Sequence, residues 1–123
     1  MKTTSYEISK QLYEAGFESW ANFFWCELGK DLVRIHLSQL HVVPQSVKRI
    51  VAYDLETILE ALPEEINLEG YCQELLITKN LLAYQRATGA WDFEQIRNEN
   101  ESLTDTAARL LILLHKKGMV NFN

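Results

Sequence analysis

The apolar positions of this chain recur at two spacings, and each spacing marks a different kind of element. In "SYEISKQLYEAG", Ile8, Leu12 and Ala15 follow a helical interval. Ser5 stands where an N-cap oxygen meets the amide of Ile8, and Gly16 suits the exit, so a helix is predicted over about 5–15. Further on, Val33, Ile35 and Leu37 alternate with Arg34, His36 and Ser38, the period of two of a half-buried strand. With "LGKD" as the turn, this predicts a hairpin of about 22–28 with 31–38. The stretch "HVVPQSVKRIVAY", broken by Pro44, reads as a long loop with strand character at 49–52.

The helical interval returns in "YDLETILEALPEE". Asp54 is the N-cap, Leu55, Ile58, Leu59 and Leu62 form one buried stripe, and Pro63 stops the helix. "INLEGYCQELLITKNLLAYQRATGAW" reads as strands, with turns at Gly70, Lys79-Asn80 and Thr88-Gly89. Trp91 and Phe93 alternate as in an edge strand, followed by a loop. The last helix opens on the capping signature Ser102-x-x-Asp105. Leu103, Ala107, Leu110, Leu111 and Leu114 form its stripe, Ala108, Ile112 and Leu113 widen it, and Gly118 closes it. Water is expected around Thr104, Asp105, Arg109, Lys116 and Lys117. Strands joined by tight turns and covered by helices make an α+β fold, a single domain over 1–123. A mainly antiparallel sheet of about four to five strands packed by three helices is the expected form.

Composition narrows the function more than the fold. A net charge of −5, from 17 acidic and 12 basic residues, argues against a dominant nucleic-acid surface. The longest apolar run, Leu110 to Leu114, is too short to cross a bilayer. The N-terminal stretch has no apolar signal core, so a soluble, cytoplasmic protein with reduced thiols at Cys26 and Cys72 is expected. No phosphate-binding glycine loop, no nucleophile elbow and no metal-spaced Cys/His pair is present. His36, His41 and His115 stand apart from one another and read as surface or capping residues. The expectation is a protein that is not an enzyme and needs no cofactor.

Charge is unevenly spread. Seven acidic residues and no Lys or Arg lie between Ile50 and Thr78. Glu56, Glu60 and Glu64 are expected on the exposed face of the second helix, as a dock for a protein partner. Phe17 to Trp25 holds five aromatics in nine positions, which makes Trp20, Phe24 and Trp25 candidates for self-association as a homodimer. The alternative is a nucleic-acid-binding regulator using Lys30, Arg34, Lys48 and Arg49 beside those aromatics.

Two resemblances bear on these choices. The closing "LLILLHKKGMV" resembles the leucine-rich run of winged-helix DNA-binding domains. A recognition helix needs polar side chains for base edges, and this one is apolar on two sides, so the run reads instead as a core helix. Five residues after Gly118 are also too few for a wing. The chain as a whole, through "LYEAGF", "YDLETILEALPEEI" and "SLTDTAARLLILLHKKGMV", resembles small phage- and prophage-encoded proteins of unknown function, similar to the phage α-β-α sandwich domain family. That resemblance implies a mobile-element origin and a compact α+β fold. It carries no catalytic residues.

Overall fold

The computed structural model describes residues 2–122. Helix α1 (Tyr6–Ala15) is capped as its sequence requires. The Ser5 hydroxyl accepts the Ile8 amide, and Gly16 leaves the helix at φ 89°, left-handed backbone that glycine adopts without strain. Strands β1 (Phe23–Leu28) and β2 (Asp31–His36) form the expected hairpin. A 3-10 helix, Leu37–Val42, takes over where the second strand was expected to continue. The His36 ring accepts the Ser38 amide at 3.1 Å, a local bond that competes with strand pairing. Strand β3 (Arg49–Ala52) then joins β1 antiparallel, giving a three-stranded sheet in the order β2-β1-β3.

Helix α2 (Leu55–Ala61) follows, then β4 (Glu65–Leu68), β5 (Tyr71–Ile77), β6 (Leu81–Arg86) and β7 (Trp91–Ile96) in a four-stranded antiparallel meander. The turn between β4 and β5 places Glu69 and Gly70 at φ 54° and 82°, the paired positive angles of a tight hairpin. Helix α3 (Leu103–Lys116) closes the chain. The fold is α+β with antiparallel strands and three main helices. Among the described residues the strands number seven and divide into two sheets, rather than lying in one sheet of four to five. Just past β3 the Thr4 amide donates to the Tyr53 carbonyl at 2.8 Å and Thr3 bridges Asp54, so the N-terminal segment pairs with the chain that leads into α2.

α3 is the central element. It packs against α1, α2, β6 and β7. Ala107, Ala108, Leu110, Leu111 and Leu114 are fully buried, together with Leu12, Ile58, Leu82 and Tyr84 from its neighbours. The wetted edge expected on α3 is narrower than its polar residues suggest. Thr104 is buried, and Arg109 is half-buried, tied to Glu101, Gln95 and the Ile96 carbonyl at 2.7–2.8 Å. The Phe17 and Tyr53 rings meet edge to face at 4.8 Å and bring α1 onto the same core.

Candidate functional site

The acidic face forms around α2. Asp54 fixes its start, its carboxylate accepting the Thr57 amide at 2.8 Å. The helical turn then sets Glu56 and Glu60 on one exposed side. Glu64 is not on the helix. α2 ends at Ala61, Pro63 follows, and the Glu64 carbonyl is held by the Leu75 amide at 2.9 Å. The fold nevertheless returns Glu64 to the same place, because Leu55, Glu56, Leu59, Glu60 and Glu64 line one shallow depression of about 570 Å³. Leu55 and Leu59, expected in the buried stripe, are only half-buried and floor this depression, while Ile58 and Leu62 go to the core. One helix therefore feeds two surfaces.

The acidic surface continues past α2. Glu64, Glu65, Glu74 and Leu75 line a second groove of about 330 Å³. Glu65 and Glu74 are direct cross-strand partners in the β4–β5 register, and both are exposed. Like charges set opposite one another in an antiparallel pair are destabilising. Neither forms a salt bridge among the described residues, where the ion pairs are Arg86–Asp92 and Arg109–Glu101.

The aromatic candidates are not gathered into one patch. Trp20 is 71% exposed in the loop before β1. Phe24 and Trp25 are consecutive on β1 and so face opposite sides of the sheet. The Trp25 indole N–H donates to the Thr4 carbonyl at 3.0 Å, and its ring meets Tyr6 edge-on at 6.4 Å. That is an anchor for the N-terminal segment. The basic candidates are also dispersed. Register places Arg34 opposite Trp25 and Arg49 opposite Cys26, on the two different faces of the sheet. Arg34 donates to the Thr3 hydroxyl and lies 4.8 Å over the Phe23 ring, Arg49 donates to the Val43 carbonyl, and Lys48 sits over Tyr13. Lys30 is exposed at the tip of the β1–β2 turn.

Sequence reasoning passed over the open edge of β2 and the apolar floor of the acidic depression. The alternation in β2 does report one face of that strand, but nothing in it tells which edge of the sheet the strand occupies. Neither thiol is activated. Burial pushes the Cys26 thiol up, against the opposing charge of Arg49, and desolvation with Glu65 and Glu74 nearby pushes Cys72 up. Among the described residues no group of three or more His, Cys, Asp and Glu side chains is placed to hold a metal ion, and no helix is long and apolar enough to cross a membrane. Comparison with protein-family models, curated proteins and solved structures gives no match for this chain, so its functional reading rests on the geometry of these surfaces.

Proposed function

We propose that the protein is a contact module that docks a basic, amphipathic segment of a protein partner on α2 and performs no catalysis of its own. The observation that carries this reading is the apolar floor of Leu55 and Leu59 inside the rim of Glu56, Glu60 and Glu64. An apolar anchor flanked by Lys or Arg side chains fits both features at once. The uncompensated Glu65–Glu74 pair beside it adds support, because a cation arriving there relieves a repulsion. A mobile-element origin belongs to the same proposal, and capsid, lysis or recombination genes on either side of its own gene are expected.

The docking is tested by fluorescence anisotropy with a labelled model helix of alternating leucine and lysine blocks. Binding is expected to weaken as salt rises, since the rim charges are solvent-exposed. Replacing Glu56, Glu60 and Glu64 together by Gln is expected to weaken binding roughly tenfold, from several exposed charge contacts of a few tenths of a kcal/mol each. Equal affinity of the wild type and the triple variant, or no binding at low salt, overturns the reading.

A further inference from the structure

The two sheets have four outer strands, β2, β3, β4 and β7, and three of their edges are covered or blunted. β3 is packed by α1 and continued by the Thr3–Asp54 bridge. β4 is only four residues long. β7 carries a bulge, with Phe93 at φ 56°, and its Ile96 carbonyl already accepts from Arg109. β2 differs. It runs six residues in unbroken register from Asp31 to His36, with no proline, lysine or bulge within it. Proline, lysine and bulges are among the devices by which an edge strand is normally protected. Of the charged residues β2 does carry, Asp31 stands at its first position and Arg34 is drawn onto the Thr3 hydroxyl and the Phe23 ring. Leu32 and Val33 on it are 42% and 38% exposed, one on each face of the sheet.

The hydrogen-bond alternation shows what this edge offers. The Leu37 amide donates to the Asn22 carbonyl at 2.7 Å, just past the end of the β1–β2 pairing. Counting back by twos, Ile35, Val33 and Asp31 turn their backbone groups toward β1, while His36, Arg34 and Leu32 turn theirs outward. An antiparallel edge of this kind is complementary to itself under a two-fold axis.

We infer that β2 is a self-association edge, pairing antiparallel with β2 of a second copy about a two-fold axis through Val33, so that the three-stranded sheets join into one continuous sheet. The axis must pass through a residue, because paired side chains share a face. Its position follows from charge. An axis at Arg34 sets that guanidinium against its own copy, and one at Asp31 sets two carboxylates together. An axis at Leu32 brings Lys30 against Arg34. An axis at Ile35 leaves Asp31, Leu32 and Val33 facing residues of the 3-10 helix, without strand partners. At Val33 the cross-strand pairs are Leu32 with Arg34, Asp31 with Ile35 and, at the strand end, Lys30 with His36, so no two carboxylates and no two Lys or Arg side chains are opposed. The outward N–H and C=O groups of Leu32 and Arg34 are then all satisfied. Strand addition alone buries a modest area, so a reversible dimer with a dissociation constant in the micromolar range is expected. This inference does not rest on the acidic dock, and the two respond oppositely to salt: backbone pairing persists where docking weakens.

The test uses the full chain. Light scattering across concentration is expected to show monomer passing to dimer, and Leu32→Lys, which puts a protecting lysine on the edge, is expected to raise the dissociation constant at least tenfold. Register is read by cross-linking in a Cys26→Ala, Cys72→Ser background. Val33→Cys falls at a non-hydrogen-bonded pair with Cα atoms about 4.5 Å apart, inside the disulfide window, and is expected to oxidise to a covalent dimer. Asp31→Cys, well away from its own copy, is expected to stay monomeric. A chain that is monomeric at every concentration, a dimer undisturbed by Leu32→Lys, or cross-linking as efficient through Asp31→Cys overturns the inference.

Discussion

Gln73 is the residue least at home in the structure. It is fully buried on β5, opposite Ile66, and neither its amide nitrogen nor its oxygen has a hydrogen-bond partner among the described residues. A buried amide left unpaired costs about 1–3 kcal/mol, and an apolar side chain of similar length removes that cost. Gln73→Met is therefore expected to stabilise the protein by about 1–2 kcal/mol, seen as a higher urea midpoint at unchanged slope. Glu101 is the opposite case. Burial alone would push its carboxyl up, yet hydrogen bonds from Arg109, the Asn98 amide and the Thr106 hydroxyl, with the Arg109 charge, hold it down to about 2. A folded pKa below the unfolded value of about 4.3 means stability that is present above that value and lost as pH falls toward 2. The stabilisation at neutral pH is about 2 kcal/mol, less than the full shift implies because the rim of the pair meets solvent. Glu101→Gln is expected to flatten the fall in urea midpoint between neutral and acid pH, and an undiminished acid transition would show that other carboxylates govern it. Nothing in the sequence marks Glu101, because its partners meet only when the loop after β7 folds back onto α3. The strand that holds Gln73 was legible, but with Leu75, Leu76 and Ile77 consecutive the side that Gln73 faces was not. Neither was its lack of a partner.

At the scale of elements, helix ends were legible because capping is local. Ser5, Asp54 and Ser102 each accept the amide three residues ahead, as their spacing implies. The wide apolar stripe of α3 was legible for the same reason, and it sets a measurable expectation. Leu111 is fully buried at the centre of the core, so Leu111→Ala is expected to cost about 3 kcal/mol, read from the urea midpoint. A cost below about 1 kcal/mol would mean that the surrounding helices collapse into the space. What periodicity missed lies where neighbours decide. Thr104 carries a polar side chain on a first turn and is buried all the same. Its hydroxyl says nothing of what packs above it. Leu55 and Leu59 share a helical stripe with Ile58, yet they are only half-buried, packed at the margin of the core. Glu64 stands past the proline that ends α2 and still reaches the acidic depression, a convergence that a helical wheel cannot show.

At the scale of the molecule, the strands were legible singly and their partition was not, because alternation within a strand reports its faces and not the strands it pairs with. The acidic span was plain in the composition. Its apolar floor and the open β2 edge emerged from tertiary structure alone. These two surfaces belong to different parts of the fold: α2 packs on α3, while β2 pairs with β1 at the outer edge of the other sheet. Self-association about Val33 therefore leaves the dock unoccupied, and a dimer carries two docks. If both proposals hold, the two binding events should be thermodynamically independent, since coupling requires an element with two arrangements that both sites bias. Titration calorimetry is expected to give the same affinity for the model helix, at one helix per protomer, with wild type and with Leu32→Lys. Joining two such helices through a flexible linker is expected to tighten binding to wild type alone, because only the dimer offers a second dock at high effective concentration. Equal tightening in Leu32→Lys would place the second binding site on the same protomer and separate bivalency from the β2 edge. A single-helix affinity that changes tenfold with Leu32→Lys would show instead that the two surfaces are coupled through the core.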